Sequence, residues 1–171
     1  IFGGQCCVGG PYEYFNDAYR FSFESYSWHK LECNGADRPC PRSQSFSFIY
    51  EGHMYVYGGY DGRTIYTDLH KLDLASLTWS KVETSSAGTN SAPKGLMNLT
   101  PADFHVYSAR PTGVLIGFKL LLLAECYERG LNVLYCLNLK RMRWSIVKSE
   151  QEIGCGGIHN HLAVQGLPAR G

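Results

Sequence analysis

Three tryptophans stand in the same local frame, and this repetition constrains the fold more than any other feature of the sequence. The frame reads SYSWHKL around Trp28, SLTWSKV around Trp79 and RMRWSIV around Trp144. Trp79 follows Trp28 by 51 residues, and Trp144 follows Trp79 by 65, which is the same period if about 14 residues are inserted. A period of this length indicates a protein built from repeated structural units.

The residues upstream of each tryptophan predict strands. Apolar and polar side chains alternate, as in half-buried strands, over Asn16–Phe23, Thr67–Leu74 and Asn132–Leu139. A pair of small residues stands further upstream in each unit: Gly3-Gly4, Gly58-Gly59 and Leu123-Ala124. In the middle unit, Ser45–Gly52 adds another strand with a hairpin turn at Glu51-Gly52. Each unit is therefore predicted to be a meander of four short antiparallel strands, and no helix is required.

With these features the middle unit resembles a kelch repeat, the four-stranded blade of a β-propeller. Pro41-Arg42-Ser43 matches the opening of the inner strand, and Gly58-Gly59 matches the end of the next strand. Tyr66 lies in the third strand and Trp79 in the outermost one. The resemblance covers roughly residues 1 to 147 and implies an all-β fold, a kelch-type β-propeller fragment of about three four-stranded antiparallel blades.

The repeat frame divides the chain into predicted blades within a single kelch-repeat region. We expect a partial blade at residues 1–40, a full blade at 41–90, a degenerate blade with an insertion at 91–150, and the start of a further blade at 151–171. The third blade departs from the family's pattern because Leu123-Ala124 replaces the diglycine. The resemblance implies a ring of about six or seven blades, so we interpret the chain as part of a longer polypeptide. Thr84–Pro111 is predicted to be a flexible rim loop.

The diglycine and the tryptophan are predicted to act together when one blade packs on the next. Gly58-Gly59 has no Cβ atoms and tolerates unusual φ values, so a bulky side chain from a neighbouring blade can approach the backbone there. Trp79 and Tyr66 are predicted to supply that bulk, each burying about 150–250 Å².

Composition and charge narrow the class of protein. The 171 residues are 44% apolar and 18% charged, with a net charge of +1, so we predict a packed interior and neither nucleic-acid nor membrane binding. The most apolar stretch, Val114–Ala124, is interrupted by Lys119 and is shorter than the roughly 20 residues that cross a bilayer. Seven cysteines without regular spacing predict reduced thiols and a cytoplasmic or nuclear protein. A disulfide between Cys33 and Cys40 is the alternative in an oxidising compartment.

No motif for catalysis or cofactor binding stands out. The serines lie in no Gly-x-Ser-x-Gly elbow, and glycine-rich Gly58–Arg63 lacks the spacing that cradles phosphate. Cys155, His159 and His161 could supply three metal ligands, but structural zinc needs a fourth ligand at ordered spacing. We therefore predict no metal, no cofactor and no enzymatic activity.

The remaining candidate site is the set of turns at the rim of the predicted propeller, where loops of successive blades converge. Six residues are predicted to bind a protein or peptide partner there: Arg42, Ser43, Gln44, Tyr60, Asp61 and Arg63. Arg42 and Arg63 would hold a carboxylate of a partner peptide. The alternative is that both are ordinary solvated loop charges.

The resemblance to the kelch family implies a function in protein interaction. One such function is substrate recruitment to a ubiquitin ligase, with ligase subunits as further partners. A second is actin binding in the cytoskeleton. A third is that of a propeller oxidase, whose copper ligands have no identifiable counterparts in this sequence. Fold alone does not choose among the three.

Overall fold

The computed structural model of the protein describes residues 1–86, 112–126 and 131–147. Within these ranges every regular element is a β-strand, so the predicted all-β class is confirmed. No helix there is long and apolar enough to cross a membrane. The predictions made for Cys155, His159, His161 and residues 151–171 concern residues outside the described ranges.

The first sheet consists of β1 (Phe2–Cys6), β2 (Glu13–Ser22) and β3 (Ser27–Leu31), antiparallel and in that order. The β1–β2 register shifts between Phe2 and Gly4, and Gly3 has a φ of +62° at the shift. A bulge with a left-handed glycine bends the end of a strand and increases its twist. The first diglycine is therefore the site of a β-bulge.

The second sheet is a four-stranded meander of β4 (Phe46–Tyr50), β5 (His53–Tyr60), β6 (Ile65–Asp73) and β7 (Thr78–Val82). Glu51 and Gly52, between β4 and β5, have φ values of +44° and +75°. Two consecutive left-handed residues are typical of a type I′ hairpin turn, so the predicted turn is confirmed. The β5–β6 register shifts between Tyr57 and Gly59, which places a bulge at the second diglycine also.

The third sheet begins with the two-residue β8 (Ser85–Ser86), followed along the chain by β9 (Thr112–Ile116), β10 (Lys119–Cys126), β11 (Leu131–Asn138) and β12 (Arg143–Ile146). Strands β9 to β12 form an antiparallel meander, and β8 pairs in parallel with the outer edge of β12. Part of the predicted rim loop Thr84–Pro111 is thus a strand, and its residues 87–111 lie outside the described ranges. The blade boundaries themselves stay predictions.

The chain divides into two compact units, Ile1–Glu83 and Thr84–Gly171. In the first unit, the core forms where the first two sheets pack together: Ala18, Met54, Val56, Leu72 and Trp79, with Phe2, Leu31 and Cys33 partly buried against them. In the second unit, buried side chains come from β10, β11 and β12: Leu120, Leu122, Leu137 and Trp144. In each unit the alternation of the strands directs one set of side chains into the core.

Main-chain atoms of another segment, and not an indole ring, come closest to the diglycines. The prediction that a tryptophan packs against the diglycine is therefore wrong. A Cβ built on Gly3 would lie 2.5 Å from the carbonyl oxygen of Arg42, and one built on Gly59 would lie 2.9 Å from that of Ser43. The Arg42–Ser43 segment crosses the ends of β1 and β5 at hydrogen-bonding distance. Since the nearest atom at each of these two glycines belongs to the main chain, a larger residue could not be accommodated by moving a side chain alone.

The three tryptophans of the repeat differ in environment. Trp79 and Trp144 are 2% and 1% exposed, whereas Trp28 is 55% exposed. Trp79 packs edge-on against Phe2 of the adjacent sheet, with ring centroids 5.1 Å apart, and this confirms its predicted role. Tyr66, predicted to fill the same kind of space, lies instead beneath a buried guanidinium described below.

Candidate functional site

Two turns that follow the diglycines adjoin one another and form the surface that we call the rim. The rim comprises the β1–β2 turn, Cys7–Tyr12, and the β5–β6 turn, Asp61–Thr64. The Tyr14 ring connects them, since a Cβ built on Gly62 would lie 3.1 Å from that ring. Tyr14 also meets Tyr60 edge-on, with ring centroids 6.2 Å apart. The rim is therefore one composite surface supported by aromatic packing.

Arg42 does not lie in an exposed turn, and the prediction that it grips a partner's carboxylate from there is wrong. Its side chain is 1% exposed. Nη1 donates to Asp68 Oδ1 at 2.6 Å and Nη2 donates to Asp68 Oδ2 at 3.2 Å. Further N–H groups donate to the carbonyl oxygens of Gly58 and Cys40 at 3.1 and 3.0 Å, and the guanidinium carbon lies 3.8 Å from the Tyr66 ring centroid. A buried charge requires such pairing, so Arg42 is a structural residue.

Asp68 is the internal carboxylate that Arg42 binds. Its Oδ2 also lies 2.9 Å from Nε2 of His70, and His70 Nδ1 donates to the carbonyl oxygen of Asp37 at 2.7 Å. Burial raises the pKa of Asp68, but the hydrogen bonds from His70 and Arg42 and the positive charge of Arg42 outweigh it and hold the pKa well below its usual range. This network ties β6 to the segments that precede β4.

Asp61 closes the β5–β6 turn. Its Oδ1 accepts the backbone N–H groups of Arg63 at 2.9 Å and Thr64 at 2.7 Å, and its Oδ2 accepts the Tyr66 hydroxyl at 2.7 Å. Burial raises the pKa of Asp61, but these hydrogen bonds outweigh it and lower the pKa overall. Burial and the bond to Asp61 raise the pKa of Tyr66. The Asp61 carboxylate thus stabilises the turn through an Asx motif.

Ser43, Gln44 and Tyr60 lie below the rim. Ser43 and Tyr60 form a two-bond antiparallel bridge through their backbones, at 2.8 and 2.9 Å, and both are buried. The Ser43 hydroxyl donates to Oε1 of Gln5 at 2.7 Å, which joins β1 to the segment before β4. Gln44 is half-buried with a φ of +58°. These three residues support the rim from below rather than forming the surface that a partner would contact.

Of the two arginines predicted to hold a partner's carboxylate, Arg63 is the one that lies at the rim surface. It is exposed, and its guanidinium makes no ion pair with any residue described. Val8 and Tyr12 of the neighbouring turn are also exposed, and Val8 is 88% accessible. The sequence prediction missed both, although their turn follows Gly3-Gly4 as the other turn follows Gly58-Gly59. The repeat frame itself was the signal that could have identified them.

The described residues contain no group of three His, Cys, Asp or Glu side chains arranged to hold a metal ion. The cysteines whose side chains can be described are free thiols: Cys6, Cys7, Cys33, Cys40 and Cys136. Cys33 and Cys40 are among these free thiols, and a disulfide between them in an oxidising compartment stays a prediction. Cys155, His159 and His161 lie outside the described part of the chain.

Comparisons with known proteins find similarity along the whole repeat region of this chain. The model of the KLHDC2/KLHL20/DRC7 Kelch-repeats domain matches residues 1–166. Acyl-CoA-binding domain-containing protein 5 of Arabidopsis thaliana is 28% identical over 169 residues, which are 98% of this chain and 22% of that protein. Kelch domain-containing protein 10 of Xenopus tropicalis is 34% identical over 83 residues, which are 48% of this chain and 20% of that protein.

A solved structure shares the fold. The structure of YjhT superposes with a TM-score of 0.59 at 18% identity, and the match covers 92% of this chain and 50% of that one. The chain thus spans about half of the matched structure and about a fifth of the two relatives. Together with the antiparallel meanders, this similarity identifies the fold as part of a kelch-type β-propeller.

Proposed function

Because the chain belongs to the kelch-repeat family, we propose that it is a non-catalytic interaction module whose rim binds a protein partner. Kelch-repeat domains generally bind other proteins. One observation carries the assignment of the surface. Val8, Tyr12 and Arg63 are exposed on two turns linked by Tyr14, whereas the carboxylate of Asp61 in the Arg63 turn is hydrogen-bonded within the turn and to Tyr66. Exposed apolar and guanidinium groups on a rigid support are typical of binding surfaces.

We further propose that the partner is a substrate delivered to a ubiquitin ligase, with actin binding as the alternative. A propeller oxidase is the least favoured candidate, since the described residues offer no metal-ligand cluster. The acyl-CoA-binding relatives are matched over about a fifth of their length, so we do not extend that property to this chain. The irregular spacing of the seven cysteines in the sequence is the reason for proposing a cytoplasmic or nuclear location.

Affinity capture with the full-length protein tests this function. We expect Arg63→Glu combined with Tyr12→Ala to reduce recovery of a specific partner by about tenfold or more, because exposed guanidinium and aromatic groups dominate many interfaces. Arg141→Glu, which reverses an exposed charge in the β11–β12 turn, is the matched control and should retain the partner. Cullin-ligase subunits in the captured set would support substrate recruitment, and actin would support the alternative. Equal recovery by all variants would refute the rim as the binding surface.

A further inference from the structure

Positive charge is concentrated at one end of the third sheet. Among the residues of the second unit whose side chains the structure describes, every charged one is a cation, and all four are exposed: Lys119, Lys140, Arg141 and Arg143. They stand in or beside the β9–β10 and β11–β12 turns, which meet where the Leu139 N–H donates to the Phe118 carbonyl at 2.9 Å. No ion pair from the described residues reaches any of them. We call this surface the basic end.

Two of the ammonium groups lie around a single aromatic ring. Nζ of Lys140 is 4.8 Å from the centroid of the Phe118 ring, and Nζ of Lys119 is 6.0 Å from it. Both are within the distance at which a ring attracts a cation, so Phe118 holds both lysines at the basic end. The two charges repel each other, and no described carboxylate pairs with either of them. An anion that reaches both ammonium groups would therefore be stabilised there.

The equivalent turn of the second sheet contains its own anion. Asp73, the last residue of β6, accepts the backbone N–H groups of Ala75 and Ser76 with Oδ1, at 2.9 and 2.8 Å. Its Oδ2 lies 3.5 Å from Nε2 of His53, the residue opposite it on β5. One carboxylate therefore caps the β6–β7 turn and also faces the basic ring on the neighbouring strand.

The third sheet keeps this turn but lacks the anion. Asn138, the last residue of β11, has the position of Asp73, and its Oδ1 accepts the backbone N–H groups of Lys140 and Arg141, both at 3.1 Å. Lys119 is the residue opposite it on β10. A neutral amide oxygen caps a turn as a carboxylate does, because both accept backbone N–H groups. The basic end is therefore left without the carboxylate that this position supplies in the second sheet.

The side chains beside the cations indicate which anion fits. Ile116, opposite Lys119 on β9, is 52% exposed, so an apolar side chain lies next to the charges. The Phe118 ring is half-buried and already contacted by two lysines, so it is not a free stacking platform for a nucleobase. Carboxylates that flank an apolar residue match this surface better than a row of phosphates does. The complementary chemistry is that of an acidic peptide segment.

We propose that the basic end binds an acidic segment of a partner protein. Carboxylates of that segment pair with Lys119 and Lys140, and an apolar side chain between them covers Ile116. No residue of the rim takes part, so the basic end is a second binding surface and does not depend on what the rim binds. Arg141→Glu, which should retain the partner of the rim, should weaken binding of the acidic segment about twofold to threefold, because Arg141 adds to the charge of this end.

The synthetic peptide EELEE is the probe, immobilised and titrated with the full-length protein by biolayer interferometry. We expect saturable binding that weakens as the salt concentration rises from about 0.05 to 0.5 M, because salt screens exposed charges. Lys119→Glu combined with Lys140→Glu should weaken binding about tenfold or more. Methionine at both positions keeps an apolar stem beside Phe118 and should weaken binding about threefold or more. Arg20→Glu combined with Lys30→Glu, at two exposed cations of the first sheet, is the charge-matched control and should bind as the wild type does.

The proposal is overturned if the variant with glutamate at both lysines binds EELEE as tightly as the wild type. An equal loss in the charge-matched control would show attraction to net charge alone, and equal binding of the neutral peptide QQLQQ would show that charge is not recognised. Loss of EELEE in the rim variant Arg63→Glu with Tyr12→Ala would place the peptide at the rim. Tighter binding of an oligothymidylate, or of vesicles that contain phosphatidylserine, would mean that the occupant is a nucleic acid or a membrane and not a protein segment.

Discussion

The Arg42 guanidinium and the Asp68 carboxylate form a two-point ion pair, with Nη1–Oδ1 and Nη2–Oδ2 distances of 2.6 and 3.2 Å. The pair links the segment before β4 to β6, across 26 residues of sequence. Arg42 also contacts the Gly58 carbonyl in β5, so one side chain connects the segment before β4 to both β5 and β6. The pair contributes to the stability of the support beneath the rim.

Replacing Asp68 by alanine should lower the free energy of unfolding by about 3 kcal/mol, because it leaves the Arg42 charge buried without a partner. Asp68 is 24% exposed, so water offsets part of the loss and the lower end of the usual range applies. Urea denaturation measures the change, and Glu83→Gln, at an exposed residue, is the control. The double variant Arg42→Met with Asp68→Leu should recover much of the stability. A loss below about 0.5 kcal/mol for Asp68→Ala would show that the pair is not structural.

The stability that Asp68 confers should depend on pH in a defined direction. Its folded-state pKa is lowered, so the contribution is fully present above the unfolded-state pKa of about 3.9 and is lost as the pH falls towards the folded-state value. The difference in unfolding free energy between wild type and Asp68→Asn should therefore be largest near neutral pH and shrink below about pH 4. Denaturation curves at neutral and acidic pH measure it. A difference that grows on acidification would contradict the lowered pKa.

Alanine at Gly59 should destabilise the protein by about 2–4 kcal/mol, because Gly59 has a φ of +107° and its Cβ would clash with the Ser43 carbonyl. Gly10→Ala is the matched control, since a Cβ there meets no atom within 4 Å, and it should change stability by less than about 0.5 kcal/mol. Thermal unfolding of the two variants gives the comparison. Similar melting temperatures would argue against close backbone approach at the bulge.

Trp79 and Trp28 occupy the same position in the repeat frame and should respond differently to truncation. Trp79→Ala should cost about 3–5 kcal/mol, because it removes a buried indole and leaves a cavity beside Phe2. Trp28→Ala should cost about 1 kcal/mol or less in the isolated chain, since more than half of this side chain is exposed. Urea denaturation of both variants tests this, and equal losses would mean that Trp28 is buried in solution.

The strands were largely predictable because their signal is local. Alternation over Thr67–Leu74 predicted a strand, and the structure has β6 at Ile65–Asp73; Glu51-Gly52 predicted a hairpin turn that is present. Val8 and Tyr12 were missed because the surface they form with Arg63 depends on two turns from different sheets. The prediction that Arg42 is exposed was wrong because Pro41-Arg42-Ser43 has the composition of an exposed loop. Composition does not show which residues pack around a side chain after folding.

The repeat, the all-β class and the similarity to the kelch family followed from the sequence alone, because strand periodicity, the Glu51-Gly52 turn and the spacing of the tryptophans can be read along the chain without knowing which residues meet after folding. The tertiary structure alone decided which of these side chains face solvent. Trp28 and Trp79 have the same local frame but different exposure, since burial depends on a second sheet that only one of them meets. Arg42 is a structural residue for the same reason: its partner Asp68 is distant in sequence and adjacent only after folding.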